Sequence, residues 1–203
     1  MNKINFHPSI ILILFIGLFG GFLKELIIFF VVIMFHEFGH ILIAKLFKIK
    51  VKKIRLTMIG GIIELDDYQF KKTYQKILIN SAGIMINLLL IMIFKVIKLS
   101  NDVNNIIVQY NYLMIVVNLL PINPLDGYKI IYDMFNIFFD EEYSLDCMYY
   151  LSMISIVICS ILLFIFKLYG YYIIICFLSY KTFKDYRLSK YMILKHYQTI
   201  NNL

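Results

Sequence analysis

The stretch Ile27–Phe47 is apolar from end to end except for His36, Glu37, His40 and Lys45. A run of that length suits a helix that crosses a bilayer, which takes about 20 residues. Lipid leaves little choice of fold, because every backbone N–H and C=O must be satisfied within the segment. Further apolar runs cover residues 9–23, 77–94, 106–120, 148–166 and 168–180. The fold class expected is therefore an all-α integral membrane protein with about six transmembrane helices. The last run is the shortest and is expected to borrow length from the residues that follow it.

Apolar residues make up 61% of the chain and charged residues 16%, against roughly 25% charged in ordinary soluble domains. The longer polar stretches, 48–76, 121–147 and 181–203, are each too short to bury a core of their own. The expected organisation is one membrane domain over 1–180 and a basic cytoplasmic tail over 181–203. A net charge of +7 raises the question of nucleic acid, and the distribution of the charge argues against it. With the amino terminus in the cytoplasm, 16 of the 20 Lys and Arg residues fall on the cytoplasmic side, as the positive-inside rule requires. Both termini are thus expected to be cytoplasmic. The first run lacks a small-x-small cleavage site and is read as an uncleaved anchor. Cys147, Cys159 and Cys176 have no metal-ligand spacing and are assigned to packing.

Ionisable groups inside lipid need a reason, since each is costly unless paired or bound. His36 and His40 stand four residues apart, so a helix places both imidazoles on one face, within reach of one ion. In H-E-x-x-H the histidines bind zinc, and the glutamate, here Glu37, takes a proton from water and passes it to the leaving amine. One Zn2+ per chain is expected, activating water near neutral pH. Lys45 lies nine residues beyond His36, which puts the site roughly 13 Å inside the cytoplasmic boundary.

Catalytic zinc takes three protein ligands and keeps one position open. The segment NLLPINPLDGYK, residues 118–129, interrupts the fourth run with Pro121 and Pro124 and offers Asp126 just before Gly127. Broken backbone at membrane depth is tolerated where it lines a cavity, so Asp126 is the expected third ligand. Asp133, Asp140, Glu141, Glu142 and Asp146 compete less well because they are expected in solvent. His7 and His196 are given no chemistry. Asn118 is a candidate for holding substrate backbone or the developing oxyanion, and equally for capping the broken helix or bonding across to Asn87.

Residues 51–67 carry β-branched side chains around Gly60 and Gly61, a pattern read as a hairpin turning on the glycine pair. Its edge could hold a substrate extended by strand addition. The substrate-binding candidates are accordingly Asn118, Gly60, Gly61 and Asn87.

The pairing of His36-Glu37-Phe38-Gly39-His40 with Asn123-Pro124-Leu125-Asp126-Gly127 resembles the site-2 type intramembrane zinc metalloproteases, peptidase family M50. The resemblance implies a small membrane-associated sheet between the second and third helices. It also implies a zinc endopeptidase that cuts a membrane-associated protein near the cytoplasmic face. The string Asn118-x-x-Pro121-x-x-Pro124-x-Asp126-Gly127 resembles the sporulation branch of that family. This implies removal of the pro-sequence of a sporulation sigma factor in the mother-cell membrane around the forespore, with inhibitory membrane proteins as further partners. Two features depart from the pattern: Gly83-Ile84-Met85-Ile86-Asn87 lacks a proline common at this place, and a basic tail stands where a nucleotide-sensing CBS domain is common. A housekeeping protease acting on an anti-sigma factor or on signal-peptide remnants is the alternative within the class. A non-hydrolytic metal-binding protein or transporter is the alternative outside it. That last reading leaves Glu37 without a purpose, and the fifth and sixth runs contain no acid or histidine to mark a path.

Overall fold

A computed structural model of the chain describes residues 3–6, 17–57, 60–66, 68–97 and 101–201. In chain order the elements are β1 (Lys3–Phe6), α1 (Leu23–Leu46), β2 (Val51–Thr57), β3 (Gly60–Leu65), α2 (Thr73–Val96), α3 (Asn101–Leu119), α4 (Asp126–Phe138), α5 (Glu141–Ile165) and α6 (Tyr172–Asn201). They group into two compact units, Met1–Asn118 and Leu119–Leu203. Among the described residues, α1, α2 and α5 are long and apolar enough to cross a membrane. At about 1.5 Å per residue, each reaches roughly 36 Å. The fourth apolar run falls in α3 and the sixth opens α6, whereas the first lies largely outside the described residues.

In the first unit, α1 is apolar on the outside and polar within. Ile27, Val31, Met34, Phe35, Phe38 and Leu42 are exposed, whereas His36, Gly39, His40 and Ala44 are buried. Water would penalise such a helix, while lipid tails accept its outer face and leave polar groups to be matched inside. The buried face of α1 packs on the face of α2 that carries Ile79, Asn80, Ala82, Gly83, Asn87 and Ile91. Gly39 makes this approach possible, because a Cβ there would stand 2.7 Å from the Ala82 carbonyl oxygen. The helix ends where Lys48 turns left-handed at φ 56° and Ile49 N–H reaches back to the Ala44 carbonyl at 2.9 Å. Ala44, Ile49 and Ile79 then form a small core with Leu65 and Tyr68 against it.

The sheet has the order β1-β2-β3. Strand β1 runs parallel to β2, with Lys3 opposite Lys53 and Phe6 opposite Leu56. Strand β3 runs antiparallel to β2, with an irregularity between Val51 and Lys53. The hairpin expected between the second and third apolar runs is present, with one correction. Gly60 and Gly61 are not its turn but the first residues of β3, opposite Thr57 and Leu56, and the connecting residues 58–59 lie outside the described part. Strand β1 was not foreseen, since four residues ahead of an apolar run give no period to read.

In the second unit, α5 and α6 pack together over Ile156 and Leu178, with Ile122 of the preceding loop completing the core. Asp146 of α5 accepts from Lys190 at 2.9 Å and from the Tyr186 hydroxyl at 2.8 Å, both on α6. The Tyr149 and Tyr186 rings stack beside them, 4.0 Å between centroids. Helix α6 continues through residue 180 without a break, so the expected tail begins inside a helix that already serves this core. Asp133, expected in solvent, is buried on α4, and Asp146 is half-buried in its ion pair.

A methyl at residue 39 tests the α1–α2 contact. Gly39→Ala should lower stability by roughly 1–3 kcal/mol through overpacking against backbone, read as a fall in the unfolding midpoint in detergent. Gly170→Ala, where an added Cβ meets nothing within 4 Å, should leave it unchanged.

Candidate metal centre

His36 and His40 project from the buried face of α1, and their Nε2 atoms lie 3.2 Å apart. The partners of their other ring nitrogens decide what this approach means. His40 Nδ1 stands 2.7 Å from the Ile79 carbonyl oxygen. A carbonyl only accepts, so Nδ1 carries a proton and Nε2 is the nitrogen left to face a metal. His36 Nδ1 faces Asn87 Oδ1, and the other end of that amide donates from Nδ2 to Asn111 Oδ1 at 2.8 Å. Asn87 therefore presents oxygen to His36, which must also be the Nδ1–H tautomer. The two Nε2 atoms are thus turned toward one another, and nitrogens held at 2.0–2.1 Å by one tetrahedral zinc would be about 3.3 Å apart.

The room for this pair comes from α2. A Cβ on Gly83 would stand 2.6 Å from Nε2 of both His36 and His40, so no other residue type fits beside the imidazoles as placed. Glu37, next to His36 on α1, is half-buried.

Asp126 belongs to the second unit. It is buried at the first position of α4, where the positive end of the helix dipole favours a carboxylate, and its Oδ1 accepts from Lys129 Nζ at 3.0 Å. The loop before it, residues 120–125, is held by groups that would otherwise be orphaned. The Ser152 hydroxyl is shared between the Pro121 and Met148 carbonyls, each at 2.8 Å. The Thr182 hydroxyl donates to the Asn123 carbonyl at 3.0 Å, and Asn123 Nδ2 donates to Asp185 at 2.9 Å. The Asn123–Pro124 peptide is cis. Gly127 admits the backbone of Leu119 and Leu120, whose carbonyl oxygens occupy the place of a side chain.

His36 and His40 of the first unit and Asp126 of the second are each buried. Imidazole and carboxylate are donor types that suit zinc. The remaining candidates are placed differently. Asn87 is 0% exposed with both ends of its amide engaged, so it supports His36 rather than facing a substrate. Asn118 Nδ2 donates to the Met114 carbonyl one turn back at 3.0 Å. Gly60 and Gly61 sit in β3. Asn111, Ser152, Thr182 and Asp185 escaped the sequence reading, because a lone polar residue in an apolar helix does not announce its partner. Gly83 stood within a Gly-x-x-x-Asn element without showing that its missing side chain is what the imidazoles need.

Gly83→Ala should weaken zinc binding by roughly tenfold or more, measured by metal analysis after competition with a chelator. Thr182→Val, which keeps the shape and removes the donor to the Asn123 carbonyl, should destabilise the fold by about 1–3 kcal/mol, read in the unfolding midpoint.

The sequence profile of peptidase family M50 matches residues 24–103, which take in both histidines, Glu37, Gly83 and Asn87. Stage IV sporulation protein FB of Bacillus subtilis (strain 168) is 26% identical over 196 residues, spanning 94% of this chain and 68% of the relative. The solved structure of the site-2 protease from Methanocaldococcus jannaschii shares the fold, with a TM-score of 0.63 at 24% identity over 90% of each chain. With a histidine pair buried in an apolar helix, these matches support a membrane metalloprotease similar to those of peptidase family M50.

Proposed function

We propose that this chain is an intramembrane zinc endopeptidase whose metal is held by His36, His40 and Asp126. The observation that carries the reading is the pair of Nε2 atoms 3.2 Å apart on α1, with Glu37 beside them. Zinc bound there supplies Lewis acidity and makes water ionisable near neutral pH. His36 and His40 orient through their Nδ1–H donors, and Asp126 adds the negative charge that lowers the cost of a dication in an apolar site. Glu37 takes a proton from the attacking water as the new C–O bond forms, then delivers it to the amide nitrogen as the C–N bond breaks.

The substrate is a membrane-associated protein cut near the cytoplasmic face. His36 lies ten residues before the end of α1 at Leu46, roughly 15 Å at 1.5 Å per residue, and the basic residues that follow mark that end as cytoplasmic. Both termini are placed in the cytoplasm on the same charge asymmetry. The similarity to a sporulation protein over 94% of the chain favours the pro-sequence of a sporulation sigma factor as the target. On this reading the enzyme works in the mother-cell membrane around the forespore.

Co-expression with the membrane-associated pro-sigma factor of the same genome tests this reading, with the size of the factor followed on a gel. The wild-type chain should shorten it. Glu37→Gln should retain about one zinc per chain and leave the factor intact, a loss of activity of at least a hundredfold for removal of the general base. Full cleavage by Glu37→Gln would refute the mechanism. Zinc binding without cleavage by the wild type would point to another substrate.

A further inference from the structure

The two histidines are oriented in unlike ways. His40 Nδ1 donates to a backbone carbonyl, that of Ile79, which has a fixed place and cannot change its role. His36 Nδ1 meets a side-chain amide, that of Asn87, whose oxygen and nitrogen ends fit the same space. A flip of Asn87 would turn its NH2 toward His36. Nδ1 would then accept, the proton would move to Nε2, and His36 would lose the lone pair that a metal needs.

Asn111 of α3 blocks that flip. Its Nδ2 donates to the Ile107 carbonyl at 2.8 Å, which commits its oxygen toward Asn87. A flipped Asn87 would set oxygen against oxygen. Asn87 and Asn111 are both 0% exposed, so water offers no relief, and a misdirected amide in so apolar a place keeps its full penalty. The orientation thus runs from the Ile107 carbonyl through Asn111 and Asn87 to His36, across three helices of one unit.

We propose that Asn111 is a positioning residue of the metal centre, which through Asn87 locks His36 as the Nδ1–H tautomer and so sets how tightly zinc is held. The proposal rests on the zinc-protease reading above. Outer partners of metal-bound histidines commonly contribute 10–100-fold to metal affinity. Asn111 would do so two side chains away from the ligand atom.

A double-mutant cycle read by zinc affinity, from competition with a chelator on the full chain in detergent, separates orientation from packing. Asn111→Leu fills similar space and ends the relay, and it should weaken zinc binding by roughly 10–100-fold. Asn87→Leu removes the amide that Asn111 would orient. In the Asn87→Leu chain, Asn111→Leu should change affinity by less than about threefold. An equal loss in both backgrounds would mean that Asn111 only fills space, and no loss in either would mean that the relay is idle. Each overturns the proposal while leaving the metal centre standing. A wild-type chain that binds no zinc would overturn the metal reading, and the relay with it. Should Asn111→Leu fail to fold, 15N spectra of histidine-labelled, zinc-free wild type decide, with His36 assigned by His36→Gln. Neutral Nδ1–H at His36 supports the proposal, and Nε2–H overturns it.

Discussion

Two imidazole nitrogens brought to 3.2 Å within an apolar helix are the constraint from which the first unit takes its shape. Such a pair keeps its geometry only if each ring is held from behind. The holding groups come from α2 and α3: the Ile79 carbonyl for His40, and Asn87 with Asn111 for His36. Helix α2 must then lie close to α1, which explains glycine at both 39 and 83. At one the α2 backbone passes, and at the other the imidazoles themselves fill the space. The apolar outer face of α1 leaves these polar contacts nowhere to go but inward.

The second unit solves a different problem, which is to keep a broken piece of backbone at one place. Residues 120–125 leave carbonyls that no helix satisfies, and α5 and α6 supply the donors through Ser152 and Thr182. Ile122, fully buried between Ile156 and Leu178, adds the apolar anchor. The start of α4, and with it Asp126, is fixed by helices that carry no metal-binding chemistry themselves. The ion pair of Asp146 with Lys190 and the Tyr149–Tyr186 stack in turn tie α5 to α6. Acidic and basic residues that resembled a solvated surface and a loose tail are part of that bracing.

What could be read from the sequence was local. The spacing of His36 and His40 determines a shared helix face, and the length of an apolar run determines a span. A carboxylate after two prolines marks a loop at depth. The strand pair β2–β3 was visible in its β-branched residues, but its turn was misplaced because the glycine pair drew attention from the residues before it. What escaped depends on meetings between distant segments. Asn87 and Asn111 are 24 positions apart, and Thr182 lies 59 from the carbonyl it serves. No local period records such pairings. Membrane helices also use Ser, Thr and Asn for many ends, so the residue types alone did not single these out.

The close approach of α1 and α2 also gives the site a gauge. With Gly39 against the Ala82 carbonyl and Gly83 under both rings, the imidazoles have little freedom to splay. Their bite stays near the 3.2 Å between Nε2 atoms. The separation of the two nitrogens is thereby written into helix spacing, and two residues with no side chain serve as its calibration.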